Sequence, residues 1–346
     1  MTPELALLLA QDGIANGAIY VLVALGILLI FQVTRIIFVP FGDLVAYASL
    51  SEAALEAHQR PGTVWLVLLL AGLATAFELA SAPRRWRAAL LRYLLLPALP
   101  VLATFLLTGR GLPQAVSLAL TVALILPIGP LLYRIAYRPI ADAPVLVLLI
   151  VSVVLHFAVS GIALVVFGPE GARPAMLTDA NFQIGGMFLT GQMLLMLGAS
   201  ALATLALFLF FGRSLTGRAL RATAVNRVGA RLVGIRPGVA GVSAFLLASA
   251  LAAMSGLLIG PVTTLYFDSG FVIGLKAFVG AIIGGLASYP GAVLGALFVA
   301  QLESFTAFWS SAFKEVAVFA VLVPVLVVRS ALQRGGADDE GEEGEL

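Results

Sequence analysis

The sequence predicts an all-α polytopic membrane protein of about ten or eleven transmembrane helices, some of them short or broken, with a possible internal repeat. Composition is the first reason. Of 346 residues, 61% are hydrophobic and only 11% charged, with a mean hydropathy of +1.08, and a soluble fold of this length needs far more charge to cover its surface. The second is supply: at roughly 20 apolar residues per span, the chain leaves little for a soluble domain. The third is punctuation, because apolar runs alternate with clusters of Arg, Pro and Gly.

Those runs place helices near 13–31, 37–57, 63–80, 88–108, 114–133, 145–167, 191–211, 239–260 and 313–328. No basic segment precedes the first run and Asp12 adjoins it, so a cleaved signal peptide is not expected. Residues 272–305 form one apolar stretch interrupted by Ser288, Tyr289, Pro290 and Gly291. Pro290 lacks an amide hydrogen and disfavours helix before it, so two short spans are expected here rather than one kinked span. The transmembrane unit covers 1–334, and 335–346 is an acidic tail expected to be disordered, holding six of the 18 acids.

Basic residues orient the bundle, since cytoplasmic loops are enriched in Lys and Arg. The segment 212–238 holds Arg213, Arg218, Arg221, Arg227, Arg231 and Arg236 and no acid. Taking it as cytoplasmic puts fifteen of the 20 basic residues inside, with the N-terminus outside and the tail inside. Helix formers fill this segment and Gly234 and Pro237 end it. It reads as a short helix at the cytoplasmic face that either docks a partner or anchors to anionic headgroups.

Several chemistries are excluded. With no cysteine there is no disulfide, thiolate metal site or cysteine nucleophile. Lys276 and Lys314 do not follow a glycine, so no Walker A loop exists, and HExxH, EF-hand and GxSxG patterns are missing too. An enzyme, a cofactor and a nucleic-acid partner are not expected; a membrane path is.

Three features point to that path. Pro40-Phe41-Gly42 and Tyr289-Pro290-Gly291 read as two helix breaks, which either face a substrate with freed amides and carbonyls or serve as packing kinks; 35–50 weakly resembles 281–296. The GxxxG pairs Gly256/Gly260, Gly280/Gly284 and Gly291/Gly295 read as tight helix packing. Ionisable residues inside spans are functional suspects. Asp43 lies at a helix start, where the macrodipole favours a carboxylate. His156 sits mid-span, either functional or a neutral ring bonded across a helix contact, and Glu78 is expected in headgroup water beside Arg84. Substrate is expected to pass near Gly42, Asp43, Ser152, His156, Ser288, Tyr289 and Gly291.

The motifs NGAIYVLVALGILLIFQVTRII (16–37), FGDL (41–44), the run at 137–144, GRALRATAVNRVGARLVGI (217–235) and KAFVGAIIGGLASYPGAVLGALFVAQLES (276–304) resemble the permease subunits of branched-chain amino-acid ABC importers. Residues 63–110 fall outside the resemblance and read as two inserted helices. The family implies an inner-membrane location, a second permease subunit, the same or homologous, cytoplasmic ATPase subunits and an extracytoplasmic substrate-binding protein, besides surrounding lipid. It also implies that Arg218, Arg221, Gly229, Ala230, Arg231 and Gly234 form an ATPase-coupling loop. In the family's Asn-Phe-Ala-His-Gly-Asp run only Gly42 and Asp43 match; Val228 replaces a usual glutamate, and in the polar sixth helix Ser152 matches while His156 and Gly161 do not. The other classes weighed are a stand-alone secondary carrier and a non-transporting membrane scaffold.

Overall fold

The computed structural model describes residues 2–81, 86–184, 187–286 and 288–328; Arg84, Arg85, Arg329, Arg334 and the acidic tail lie outside them. The chain runs through α1 (Pro3–Thr34), α2 (Phe41–Glu56), α3 (Thr63–Ser81), α4 (Trp86–Leu107), α5 (Gln114–Ile140) and α6 (Val145–Phe167). A small hairpin, β1 (Asn181–Ile184) and β2 (Met187–Thr190), precedes α7 (Gly191–Arg213). Two short helices, α8 (Leu215–Val225) and α9 (Arg227–Leu232), lead into α10 (Pro237–Ile259), α11 (Ser269–Ile283), α12 (Tyr289–Trp309) and α13 (Ser311–Val328). Among the described residues nine helices are long and apolar enough to cross a membrane; α2 and α11, at 16 and 15 residues, are shorter.

The stretch 272–305 is thus divided between two helices, and the second is longer than expected, at 21 residues. The loop 212–238 holds two short helices instead of one: the Asn226 side chain ends α8 and accepts the Gly229 amide of α9 at 2.8 Å. Prolines shape α5, where Pro127 and Pro130 each remove an amide and a π-helical turn follows at Tyr133–Tyr137. The hairpin between α6 and α7 was not expected; Gln11 of α1 donates to the Phe188 carbonyl at 2.5 Å and holds it down.

Contacts sort the helix ends onto two faces. On one, the Thr223 hydroxyl donates to the Val33 carbonyl at 3.3 Å, and Glu78, late in α3, binds Arg134 of α5. On the other, Ser304 donates to the Leu9 carbonyl, Arg173 to that of Pro261, and Gln114 to that of Met176. The arginines at 35, 134, 138 and 213 therefore share one face with α8 and α9. Between the faces, α1 and α10 are the most buried spans, while α4 and α13 are largely exposed.

The break expected at Pro290 falls just ahead of it, between α11 and α12, and Pro40 likewise stands before α2 rather than within it. Each stands at a helix start, where its missing amide costs no bond. The Ser288 hydroxyl caps α12 by accepting the Gly291 amide at 3.1 Å. The two stretches do share a local conformation: Arg35 (φ 62°) closes α1 and Gly285 (φ 96°) with Leu286 (φ 52°) follows α11, each before a proline-led helix.

Glycines set the closest contacts. A Cβ on Gly42 would strike the Gly270 carbonyl, one on Gly280 would lie 2.7 Å from the Ala296 Cα, and one on Gly284 would meet the Gly291 carbonyl. The α11 and α12 GxxxG pairs therefore pack on each other, and the Gly256/Gly260 pair of α10 packs on α2 at Ala48 and Ser49. Gly42→Leu and Gly284→Leu are each expected to cost about 3 kcal/mol by overpacking against rigid backbone, read as a lower Tm of the detergent-purified chain. Gly161→Ala, on a face open for 4 Å, should leave Tm unchanged or higher.

Candidate functional site

The centre of the bundle is organised along α6. His156 is the midpoint of this 23-residue helix, about 17 Å from either end at 1.5 Å per residue. Its Nδ1 lies 2.8 and 3.0 Å from the two carboxylate oxygens of Asp43. Asp43 is fully buried and His156 nearly so. One turn either way, Tyr137 and Ser152 share a 2.7 Å hydroxyl hydrogen bond, and the Tyr47 hydroxyl donates to the Val159 carbonyl at 2.9 Å. Ser152, His156 and Val159 thus form a polar spine on one face, since residues three and four apart align.

Asp43 is the third residue of α2, and helix α2 begins at the depth of His156 rather than at a membrane surface. Residues 35–40 bring the chain back from the end of α1 to that depth, so the Phe41 ring packs against Gly26. Phe38 lies edge-on to Tyr137 and Phe245, with centroids at 6.0 and 4.9 Å. Helix α11 starts at the same place. Gly270 and Gly274 lie against the Gly42 backbone, and Phe271 stacks on the His156 ring at 4.3 Å and 17°. Two helix N-termini with their partial positive charge therefore converge beside one carboxylate, which can hold a cationic group while aromatic rings exclude water.

The structure brings Gly42, Asp43, Ser152 and His156 together. It sets Ser288, Tyr289 and Gly291 apart, at the far end of α11: Gly270 touches Gly42 and Gly284 touches Gly291, about 21 Å along the helix. There the Tyr289 ring stacks on Phe211 at 5.4 Å, and the Arg221 guanidinium stands 5.7 Å from the Phe211 ring. The buried Tyr289 hydroxyl has no hydrogen-bond partner among the described residues.

In the 212–238 segment Ala230 is buried and accepts the Ile235 amide at 2.9 Å, and Gly234 (φ 84°) makes the left-handed stop. Arg218, Arg221 and Arg231 are exposed. So are Leu215, Val225, Val228, Leu232 and Val233, the first 81% exposed and Leu232 83%, an apolar surface that composition did not disclose.

Sequence reading missed two polar clusters inside the bundle. Lys276 of α11 binds Glu303 of α12 at 2.6 Å, and Tyr20 donates to the same carboxylate at 2.5 Å. Glu52 accepts from Ser117 at 2.5 Å and Thr121 at 2.7 Å. Glu78, expected beside Arg84, which lies outside the described residues, accepts from the Arg134 Nε at 2.7 Å, with Arg138 at 4.0 Å, because a carboxylate facing a neighbouring helix is better met by a guanidinium than left beside hydrocarbon. The signal available in the sequence was Lys276 itself, since a lysine inside an apolar helix calls for an acid. Among the described residues no group of three or more His, Asp or Glu is placed to hold a metal ion.

A family model described as "branched-chain amino acid transport system / permease component" matches residues 88–327. The high-affinity branched-chain amino acid transport system permease protein BraD of Pseudomonas aeruginosa is 31% identical over 245 residues, which cover 68% of this chain and 80% of that protein. The corresponding LivH proteins of Salmonella typhimurium and Escherichia coli are 29% identical over 204 residues, 56% of this chain and 66% of theirs. No solved structure matches the chain significantly.

His156→Leu leaves the Asp43 carboxylate buried without its donor, and is expected to destabilise the chain by about 3–5 kcal/mol. Adding Asp43→Asn should recover most of that loss, because the neutral amide needs less compensation. Thermal melting of the two single variants and the double variant measures the coupling; additive losses would show that the two side chains do not act as a pair.

Proposed function

The chain belongs to the branched-chain amino acid transport permease family, and on that premise we infer that it forms the translocation path of an ABC importer for a small, amino-acid-like substrate. The observation that carries this reading is the Asp43–His156 pair at mid-depth where the N-termini of α2 and α11 meet. A broken arrangement of half-length helices is where a transporter can offer polar groups without exposing backbone to lipid. The substrate ammonium takes the Asp43 carboxylate from His156, while Phe38, Phe41 and Phe271 provide an apolar wall for the rest. Those rings favour a largely apolar substrate with one charged end.

ATP is hydrolysed by separate cytoplasmic subunits that dock on 212–238. Its exposed Leu215, Val225, Val228, Leu232 and Val233 support a protein partner over headgroups alone, since apolar side chains at a partner surface are desolvated on docking. The loop is tied to the bundle by Thr223 on Val33 and by Arg221 over Phe211, and Tyr289 and Gly291 receive its motion rather than the substrate. The arginine-rich face then lies in the cytoplasm, the N-terminus outside, and the polar hollow of about 450 Å³ lined by Glu56, His58, Gln114 and Asp179 faces the substrate-binding protein. A second permease subunit completes the path.

Asp43→Asn keeps a hydrogen bond to His156 but removes the charge, so uptake of radiolabelled leucine by cells carrying the complete transporter should fall about tenfold with the chain still inserted at wild-type level. Undiminished uptake would move the path away from Asp43. Leu232→Glu, on that exposed apolar surface, should abolish substrate-stimulated ATP hydrolysis by the purified complex while the permease keeps its melting temperature. Normal stimulation in that variant would leave the loop without a coupling role.

A further inference from the structure

A groove between α1, α7 and α12 takes no part in the path described above. It encloses about 740 Å³ and is walled by Ala18 and Val21, by Ser200, Thr204 and Phe208, and by Pro290. Its hydroxyl protons are already committed to their own helix: Ser200 donates to the Leu197 carbonyl at 2.9 Å and Thr204 to that of Ser200 at 2.7 Å. A polar solute would find no donor there and would lose its hydration. Two of its lining residues, Leu205 and Phe208, are each 54% exposed, so the groove opens to hydrocarbon.

One end of the groove is charged. Pro290 follows Tyr289, whose ring stacks on Phe211, and the Arg221 guanidinium stands 5.7 Å from the centre of that Phe211 ring. Arg213 ends α7, and Arg218 donates to the Arg213 carbonyl at 3.1 Å. No acid occurs in 212–238 to neutralise these three guanidiniums. From Leu197 to Phe208 the α7 wall is about 16 Å long, close to the roughly 15 Å depth of one leaflet.

We propose that the α1–α7–α12 groove, with Arg213, Arg218 and Arg221 at its end, is a binding site for one anionic phospholipid, its acyl chain in the groove and its phosphate on the guanidiniums. A second permease helix would fill the apolar wall but would bring no anion to the arginines, whereas an amphiphile satisfies both. Arginines at a membrane surface attract anionic headgroups, and Arg suits a phosphate through its planar donor fork. The site shares Arg218 and Arg221 with the segment read above as the ATPase dock, but its test requires only that the chain sits in a bilayer.

The full chain, purified in mild detergent, is titrated with phosphatidylglycerol and with phosphatidylcholine of the same acyl length and read by native mass spectrometry. One phosphatidylglycerol is expected to bind in preference to phosphatidylcholine. Arg213→Gln, Arg218→Gln and Arg221→Gln should each weaken that preference about fivefold. Ala201→Trp, which fills the groove, should abolish retention of both lipids without lowering helical content or Tm. Equal binding of the two lipids by the wild-type chain, or an unchanged lipid adduct in Ala201→Trp, would overturn the site. Lipid retained while Ala201→Trp separates paired permeases would assign the groove to a protein interface instead.

Discussion

A backbone amide or carbonyl left open in hydrocarbon costs several kcal/mol, and every unusual feature of this chain answers that constraint. Two of its helices, α2 and α11, begin beside each other at mid-depth, and each start presents amides that lipid cannot satisfy. The solution is proximity. Gly42, Gly270 and Gly274 let the two starts touch backbone to backbone, Asp43 supplies a carboxylate at the start of α2, and His156 closes that carboxylate from α6. Removing the side chains at the contact is what lets two half-length helices coexist inside a membrane.

The same logic distributes charge. Glu303 is met by Lys276 and Tyr20, Glu52 by two hydroxyls, and Glu78 by Arg134. Each acid has a partner from another helix, so the pairs fix which helices are neighbours as well as neutralising charge. The functional groups are separated along α11: the polar centre is at its first turn, and the aromatic contact with the arginine-rich loop is beyond its last.

Much of the fold was legible in the sequence because hydrophobic runs in a membrane protein are long and their boundaries charged. The helices over 63–81, 145–167 and 237–259 follow directly from such runs. Residues 35–40 were harder, because Ile36, Ile37 and Phe38 are apolar enough to extend a helix, and only packing against Tyr137 and Phe245 reveals an extended segment. The hairpin at 181–190 carries no apolar alternation strong enough to stand out from a loop. Pro290 was read as a break because proline disfavours helix before it; with Ser288 capping, the same residue opens α12. In the site, Asp43 was legible from its place after Pro40 and Gly42. Its union with His156 spans 113 positions, and pairing at that separation leaves no local trace.

The Gly42–Gly270 contact has a mechanical consequence. Two surfaces without side chains lack the interlocking knobs that hold ordinary helix pairs in register, so they resist rolling weakly while still resisting separation. Such a junction is a pivot and α11 is its lever. With an arm of about 21 Å from Gly270 to Gly284, a tilt of about 10° swings the far end by about 4 Å, and that end is where Gly284 bears on Gly291 and Tyr289 bears on Phe211. A small displacement delivered at the arginine-rich face would therefore be geared down to a fraction of an ångström beside Asp43, enough to loosen a hydrogen bond without tearing open the backbone around it.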